Sequence, residues 1–246
     1  MNVNGKTVLV TGGGTGMGKA ISLFFAKNGA NVCINYRISQ NEALETVGEL
    51  RNLGVKAEAY QADVASEEDV VRLMDSVVKD FGGIDVLINC AGKTHVVAHQ
   101  DLSGMRSEFF DDIFAVNVKG TFFCCREAKK FLDKEGGVIV NITSTAGLNG
   151  LGSSIAYAAS KAAEINMTRS LARVFAPAVR VLSVAPGFVP TRFVAGQEER
   201  GRRIAEETPM KRLALPEDVA EVVGSLVLGN DILTGITVVV DGGRMI

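Results

Sequence analysis

Seven short strand-like runs, six of them rich in β-branched residues, recur along this chain, each parted from the next by a longer stretch with helical periodicity. They are TVLVT (7–11), VCINY (32–36), AEAYQ (57–61), DVLIN (85–89), VIVNIT (138–143), RVLSVA (180–185) and TVVVD (237–241). Strands this uniformly apolar are buried on both faces, the situation created when helices cross over between parallel neighbours. The stretches 16–28, 40–53, 66–81, 105–132, 155–174 and 216–228 are the candidate crossover helices. Right-handed connections then predict an α/β fold, a doubly wound seven-stranded parallel sheet with helices on both faces.

Local punctuation agrees with these boundaries. Ser66 stands before Glu67, Glu68 and Asp69, and Pro216 before Glu217 and Asp218, so acids fall in first turns near the positive helix end. With 246 residues, no internal repeat and no Pro-rich linker, the whole of 1–246 reads as one domain. The segment from Pro186 to Arg212 is the one long polar interruption, and its stretch around 188–212 is expected to form a lid over a site.

Charge excludes some partners. Lys plus Arg total 26 against 28 Asp plus Glu, a formal net charge of −2, so no global field draws a polyanion and nucleic acid is not an expected partner. No run of about 18 apolar residues suits a membrane span, and the N-terminus lacks the pattern of a secretory signal, which gives an expected cytoplasmic location. Cys33, Cys90, Cys124 and Cys125 include no C-x-x-C pair, and with two His they make a poor zinc set, so reduced thiols are expected and no metal.

The first strand ends in Thr11-Gly12-Gly13-Gly14-Thr15-Gly16-Met17-Gly18 and runs straight into an apolar helix. Backbone N–H groups and the helix dipole converge there, where a pyrophosphate could sit; a tight strand-to-helix connection is the plainer alternative. Tyr157 and Lys161, four residues apart in a helical segment, project from one face, although a surface Lys over a buried ring would look the same. Ser144 closes an apolar strand thirteen residues before Tyr157, and Asn117 lies in IFAVNVKG.

The spacing Gly12-x-x-x-Gly16-x-Gly18, together with Asn117, Ser144, Tyr157 and Lys161 in that order, resembles the short-chain dehydrogenase/reductase family. Further motifs agree: Asp63-Val64 after the third strand, Asn89-Cys90-Ala91-Gly92 after the fourth, Pro186-Gly187-Phe188-Val189-Pro190-Thr191 after the sixth, and the closing LTGITVVVDGG. The resemblance covers roughly residues 5–243 and implies a Rossmann fold, a nicotinamide cofactor and a small-molecule carbonyl or alcohol substrate. It also implies a homotetramer or homodimer.

By that resemblance the glycine turn with Thr15 and Met17 holds the pyrophosphate, and Asp63 and Val64 meet the adenine, with a helix-cap role for Asp63 as the rival. Asn89, Ala91 and Gly92 back the ribose, Asn89 partly by tying strands together. Pro186, Gly187, Val189 and Thr191 face the nicotinamide. Tyr36 and Arg37 occupy the place where an NAD-preferring protein carries an acid, so NADP(H) is favoured over NAD(H), unless Arg37 is only a solvated surface group. Tyr157 is the implied acid, Lys161 lowers its pKa and binds ribose hydroxyls, Ser144 and Tyr157 hold the substrate oxygen, and Asn117 holds a relay water.

The implied activity is NADPH-dependent reduction of a ketone or 3-oxo group to a secondary alcohol, or its reverse. A 3-oxoacyl-[acyl-carrier-protein] reductase and a non-catalytic NADP(H)-binding redox sensor are the alternatives. His95 and His99 read as ordinary loop residues, Arg200, Arg202 and Arg203 as a solvated helix face, and Phe122-Phe123-Cys124-Cys125 as helix core.

Overall fold

Successive residues on a strand point to opposite sides of a pleated sheet, and this chain fills both sides. The computed structural model describes residues 1–132 and 136–246. Its strands are β1 (Thr7–Thr11), β2 (Asn31–Tyr36), β3 (Ala57–Gln61), β4 (Val86–Asn89), β5 (Gly137–Ile142), β6 (Val179–Pro186) and β7 (Thr237–Val240). All pair in parallel, in the order β3-β2-β1-β4-β5-β6-β7. The order reverses between β1 and β4, and a crevice opens at such a switch point beyond the carboxyl ends of the strands.

The helices are α1 (Gly16–Lys27), α2 (Gln40–Asn52), α3 (Glu67–Phe81), α4 (Ser107–Phe114), α5 (Thr121–Leu132), α6 (Ala146–Asn149), α7 (Ile155–Phe175), α8 (Glu198–Glu207) and α9 (Pro216–Leu228). Val8, Val10, Val32, Ile34, Val86, Ile88, Val138 and Val140 join one core with Ile21 and Phe25 of α1, Val47 and Leu50 of α2, and Val223 of α9. Their strand neighbours Leu9, Cys33, Leu87 and Ile139 face the other way, into a second core with Leu73 of α3, Cys124 of α5 and Leu171 and Phe175 of α7. The sheet therefore separates two apolar interiors, each sealed by its own layer of helices.

The expected caps are present. The Ser66 side chain accepts from the Asp69 N–H at the start of α3, and Pro216 opens α9. Three expectations need correction. The stretch 105–132 is helical from Ser107 but not α throughout, because a π-helical turn at Ala115–Gly120 lies between α4 and α5. That turn carries the buried Asn117, whose side chain bonds backbone outside the helix, and a 3.6-residue pattern cannot reveal such a widening. The polar segment after β6 holds helix as well as loop, a 3₁₀ turn at Arg192–Val194 and then α8. Of the run 122–125, Cys124 and Cys125 are buried, whereas Phe122 is exposed on the outer face of α5.

Among the described residues no helix is long and apolar enough to cross a membrane. Gly48 is exposed in the middle of α2, and a β-carbon there would meet nothing within 4 Å. Gly48→Ala is accordingly expected to raise stability by about 0.5–1 kcal/mol, seen as a higher urea midpoint at unchanged slope. A lower midpoint would contradict the open surroundings of this position.

Candidate active site

The ends of β1, β4, β5 and β6 surround a cleft of about 830 Å³. Its floor includes Gly12, Gly14, Thr15, Gly16, Met17 and Gly18. Gly12 and Gly16 have φ of +64° and +52°, a left-handed conformation that L side chains avoid. No side chain caps α1 and its first turn carries no acid, so its leading N–H groups and positive end are left for an anion. Thr11 Oγ1 accepts from the N–H groups of Cys90 and Ala91 at 3.0 and 3.1 Å, which holds the ends of β1 and β4 together beside this turn.

At one end of the cleft lie Tyr36, Arg37, Asp63 and Val64. The Arg37 guanidinium lies 3.2 Å from an Asp63 oxygen, so neither is a free surface charge. Asp63 also accepts from the Ala65 N–H at 2.9 Å, the helix-approach role that sequence left open for it. Arg192, from the segment after β6, reaches across to the Ser39 hydroxyl at 2.5 Å and Glu42 at 2.9 Å. It brings a second guanidinium to this end, which sequence reasoning missed because 150 residues separate it from Glu42.

Ser144, Tyr157 and Lys161 meet in the middle of the cleft with Gly92, Pro186, Gly187, Val189 and Thr191. Ser154 caps α7 by accepting from the Tyr157 N–H at 3.2 Å, which fixes where the helix, and so Tyr157, begins. The phenol is partly open to the cleft, and its ring centroid lies 5.9 Å from Lys161 Nζ. Lys161 is 4% exposed, so it is no surface lysine. Its Nζ donates to the Ile142 carbonyl at 3.0 Å and lies 2.7 Å from Glu164, a buried carboxylate. Burial pushes the Tyr157 phenol above its ordinary value, against the downward pull of the Lys161 ammonium and the Ser144 hydroxyl.

Two expected site residues stand behind the cleft wall. Asn89 donates to Asn141 at 2.9 Å and approaches Cys125 at 3.2 Å, and Asn141 in turn donates to Thr168 at 3.0 Å. Asn89 is thus a tie between β4, β5 and α7, the structural half of its expected role. Asn117 is fully buried, accepting from the Lys93 N–H at 2.8 Å and donating to the Lys93 carbonyl at 3.0 Å and to Ser160 at 2.9 Å. It locks the loop after β4 to α7 close to Lys161. A β-carbon on Gly92 would come within 3.7 Å of Asn117 and 3.8 Å of Lys161, so the three are immediate neighbours.

The remaining wall is formed by Thr94, Leu151, Ser153, Phe188 and Phe193, with the Phe193 ring 6.0 Å from that of Tyr157. Arg202 and Arg203 are exposed as expected, but Arg200 turns inward, donating to Gln197 at 2.9 Å and to the Gly152 carbonyl at 3.4 Å. Its place on the inner face of α8, beside the buried Gly201 and Ile204, was concealed by the mixed charges around it. His95 stacks on Phe109 and contacts Asp112 at 3.0 Å, outside the cleft lining. The four cysteines are free thiols. No group of His, Cys, Asp or Glu among the described residues is arranged to hold a metal.

Known proteins share this architecture. The model of the short chain dehydrogenase family matches residues 6–201. A 3-oxoacyl-[acyl-carrier-protein] reductase FabG of Staphylococcus epidermidis is 35% identical over 97% of this chain and 98% of its own. An uncharacterized oxidoreductase of Thermotoga maritima is 36% identical over 99% and 98%. The structure of a short chain dehydrogenase from Burkholderia cenocepacia in complex with NADP superposes with a TM-score of 0.91 at 33% identity, covering 100% of both chains. Sequence motifs, sheet order and these similarities agree that the chain belongs to the short-chain dehydrogenase/reductase family, as an oxidoreductase acting between hydroxyl and carbonyl groups.

Proposed function

We propose that this enzyme uses NADPH to reduce a ketone or 3-oxo group to a secondary alcohol, or runs the reverse, with Tyr157 as the acid–base group. The observation that carries the reading is the meeting of Ser144, Tyr157 and the buried Lys161 on the wall of a cleft whose floor is the uncapped start of α1. The residues fit a dinucleotide. The glycine turn would hold its pyrophosphate, Asp63 and Val64 its adenine, Ala91 and Gly92 its ribose, and Pro186 to Thr191 its carboxamide.

The cofactor, when bound, supplies the hydride. Tyr157 delivers a proton to the carbonyl oxygen, and it is suited to this because burial keeps its phenol protonated at neutral pH. Ser144 holds the same oxygen by a hydrogen bond, and Lys161 stabilises the phenolate left behind. The stretch 188–212, with Phe193 above Tyr157 and Arg200 turned inward, serves as the lid that shuts water out. Asn117 supports the relay by fixing the loop after β4 against α7.

Arg37 and Arg192 at the adenosine end, with no acid at the end of β2, favour NADP(H), and Arg37 would hold the 2′-phosphate. The match to a 3-oxoacyl-[acyl-carrier-protein] reductase recommends a 3-oxoacyl thioester as one trial substrate. The test is cofactor oxidation by the purified protein across ketones, diketones, quinones and an acetoacetyl thioester, with NADPH and NADH side by side. Arg37→Ala is expected to raise the KM for NADPH by about 10- to 100-fold, the worth of one charge-assisted contact, while leaving that for NADH near its starting value. Equal effects on both cofactors would overturn the assignment of the 2′-phosphate to Arg37.

A further inference from the structure

Glu164 is a buried carboxylate that the chemistry proposed above does not use. It follows Lys161 by one turn of α7 and is 2% exposed. Its Oε2 lies 2.7 Å from Lys161 Nζ, and its Oε1 accepts from the Thr121 hydroxyl at 3.2 Å, at the start of α5. Lys161 Nζ also donates to the Ile142 carbonyl at 3.0 Å, so the ammonium is held between the floor of the sheet and this carboxylate.

A buried ion pair is poor value as a stabilising device, because desolvation of two charges offsets most of their attraction and an apolar pair of equal volume often does as well. Removing Glu164 alone would leave the Lys161 ammonium buried without its counter-charge. The presence of a carboxylate against the one lysine that serves the reaction is better explained by what it does to that lysine.

We infer that Glu164 is a positioning residue, whose carboxylate pins the Lys161 ammonium against the Ile142 carbonyl and offsets part of the field that Lys161 exerts on Tyr157. The assignment of roles rests on the function proposed above. The other groups facing this cluster carry no competing charge. Cys90, after β4, and Cys125, on α5, are thiols pushed up by burial, Cys90 to about 12, and so are neutral in the working range. Asn117, Thr121 and Ser144 are uncharged. Burial by itself pushes the Lys161 ammonium down and the Glu164 carboxyl up; Glu164, together with Tyr157 and Cys90, leaves the ammonium above its ordinary value, while the same carboxylate opposes ionisation of Tyr157.

The consequence is a phenol that stays protonated further into the alkaline range than Lys161 alone would allow. Glu164→Gln keeps the shape and a partner for Thr121 but removes the charge. The chain has three tyrosines and no tryptophan, so tyrosinate absorbance, with the matching Tyr157→Phe protein subtracted, follows Tyr157 without any substrate. In Glu164→Gln the Tyr157 midpoint is expected about one pH unit lower than in the native chain, and the alkaline limb of NADPH oxidation moves down with it.

A midpoint that is unchanged or higher, or a loss of rate equal at every pH, would overturn the inference. Glu164→Asp, which withdraws the carboxylate by one methylene, is the second variant should the first not fold. It is expected to give a smaller downward shift, and a midpoint at or above the native one counts against the inference. Because the absorbance requires no turnover, it decides the role of Glu164 separately from whether a carbonyl substrate has been found.

Discussion

Tyr157→Phe is expected to slow carbonyl reduction by about 10²- to 10⁴-fold, the usual contribution of a positioned general acid, with NADPH affinity essentially unchanged. The phenol lines the cleft beside Ser144, and Phe keeps the ring that packs against Phe193. Removing the hydroxyl thus removes proton delivery and little else, so the loss falls in kcat. Steady-state rates alongside a fluorescence titration of NADPH measure both quantities. A variant that kept a comparable rate would sink the mechanism.

The pH dependence has a definite sign. On the proposed mechanism a proton donor works only while protonated, so reduction is expected to fall as pH rises through the Tyr157 pKa. Burial moves that pKa up from its ordinary value near 10, against the smaller pulls of Lys161 and Ser144.

Gly18→Ala is expected to be the most damaging small substitution in the glycine turn. A β-carbon at Gly18 would lie 2.1 Å from the Gly12 carbonyl oxygen and 3.0 Å from the Gly13 α-carbon. Both are backbone atoms of the turn itself, which cannot retreat without moving the N–H groups that face the cleft. The expected result is a loss of about 3 kcal/mol, near the upper end for overpacking, together with loss of NADPH binding. Urea denaturation and the same fluorescence titration measure the two effects. An alanine variant with native stability and affinity would show that the turn is not as tightly closed as described. The contrast with Gly48, where the same added methyl meets nothing, isolates close approach as the cause.

Much of this was legible in the residues. Buried parallel strands announce themselves by apolar, mostly β-branched runs, AEAYQ of β3 being the exception, and each of the seven lies within a residue of its expected bounds. The glycine turn and the Tyr157–Lys161 pair were readable as positions, since a glycine run after a strand and a four-residue helical spacing are visible in the sequence, while the roles proposed for them came from the family resemblance. The features that escaped depend on tertiary placement. Asn117 was named from the motif, but the π turn that carries it has an extra width that leaves no trace in a helical period. Arg200 and Arg202 have similar neighbours in sequence, and only the packing of α8 decides which one points inward. Glu164 looks like any polar residue of an amphipathic helix until α5 and the loop after β4 close over it.

The partition of the interior by the sheet bears on how such a chain can diversify. The layer of α1 and α2, which carries the glycine turn and the loop of Arg37, rests on one core, and α7 with Tyr157 and Lys161 rests on the other. Substitutions with no shared neighbours combine nearly additively. Changes at Ile34 or Val47 are therefore expected to leave the seat of α7 on Ile139 and Leu171 undisturbed, so that, on the function proposed, cofactor choice and chemistry vary as semi-independent traits within one chain.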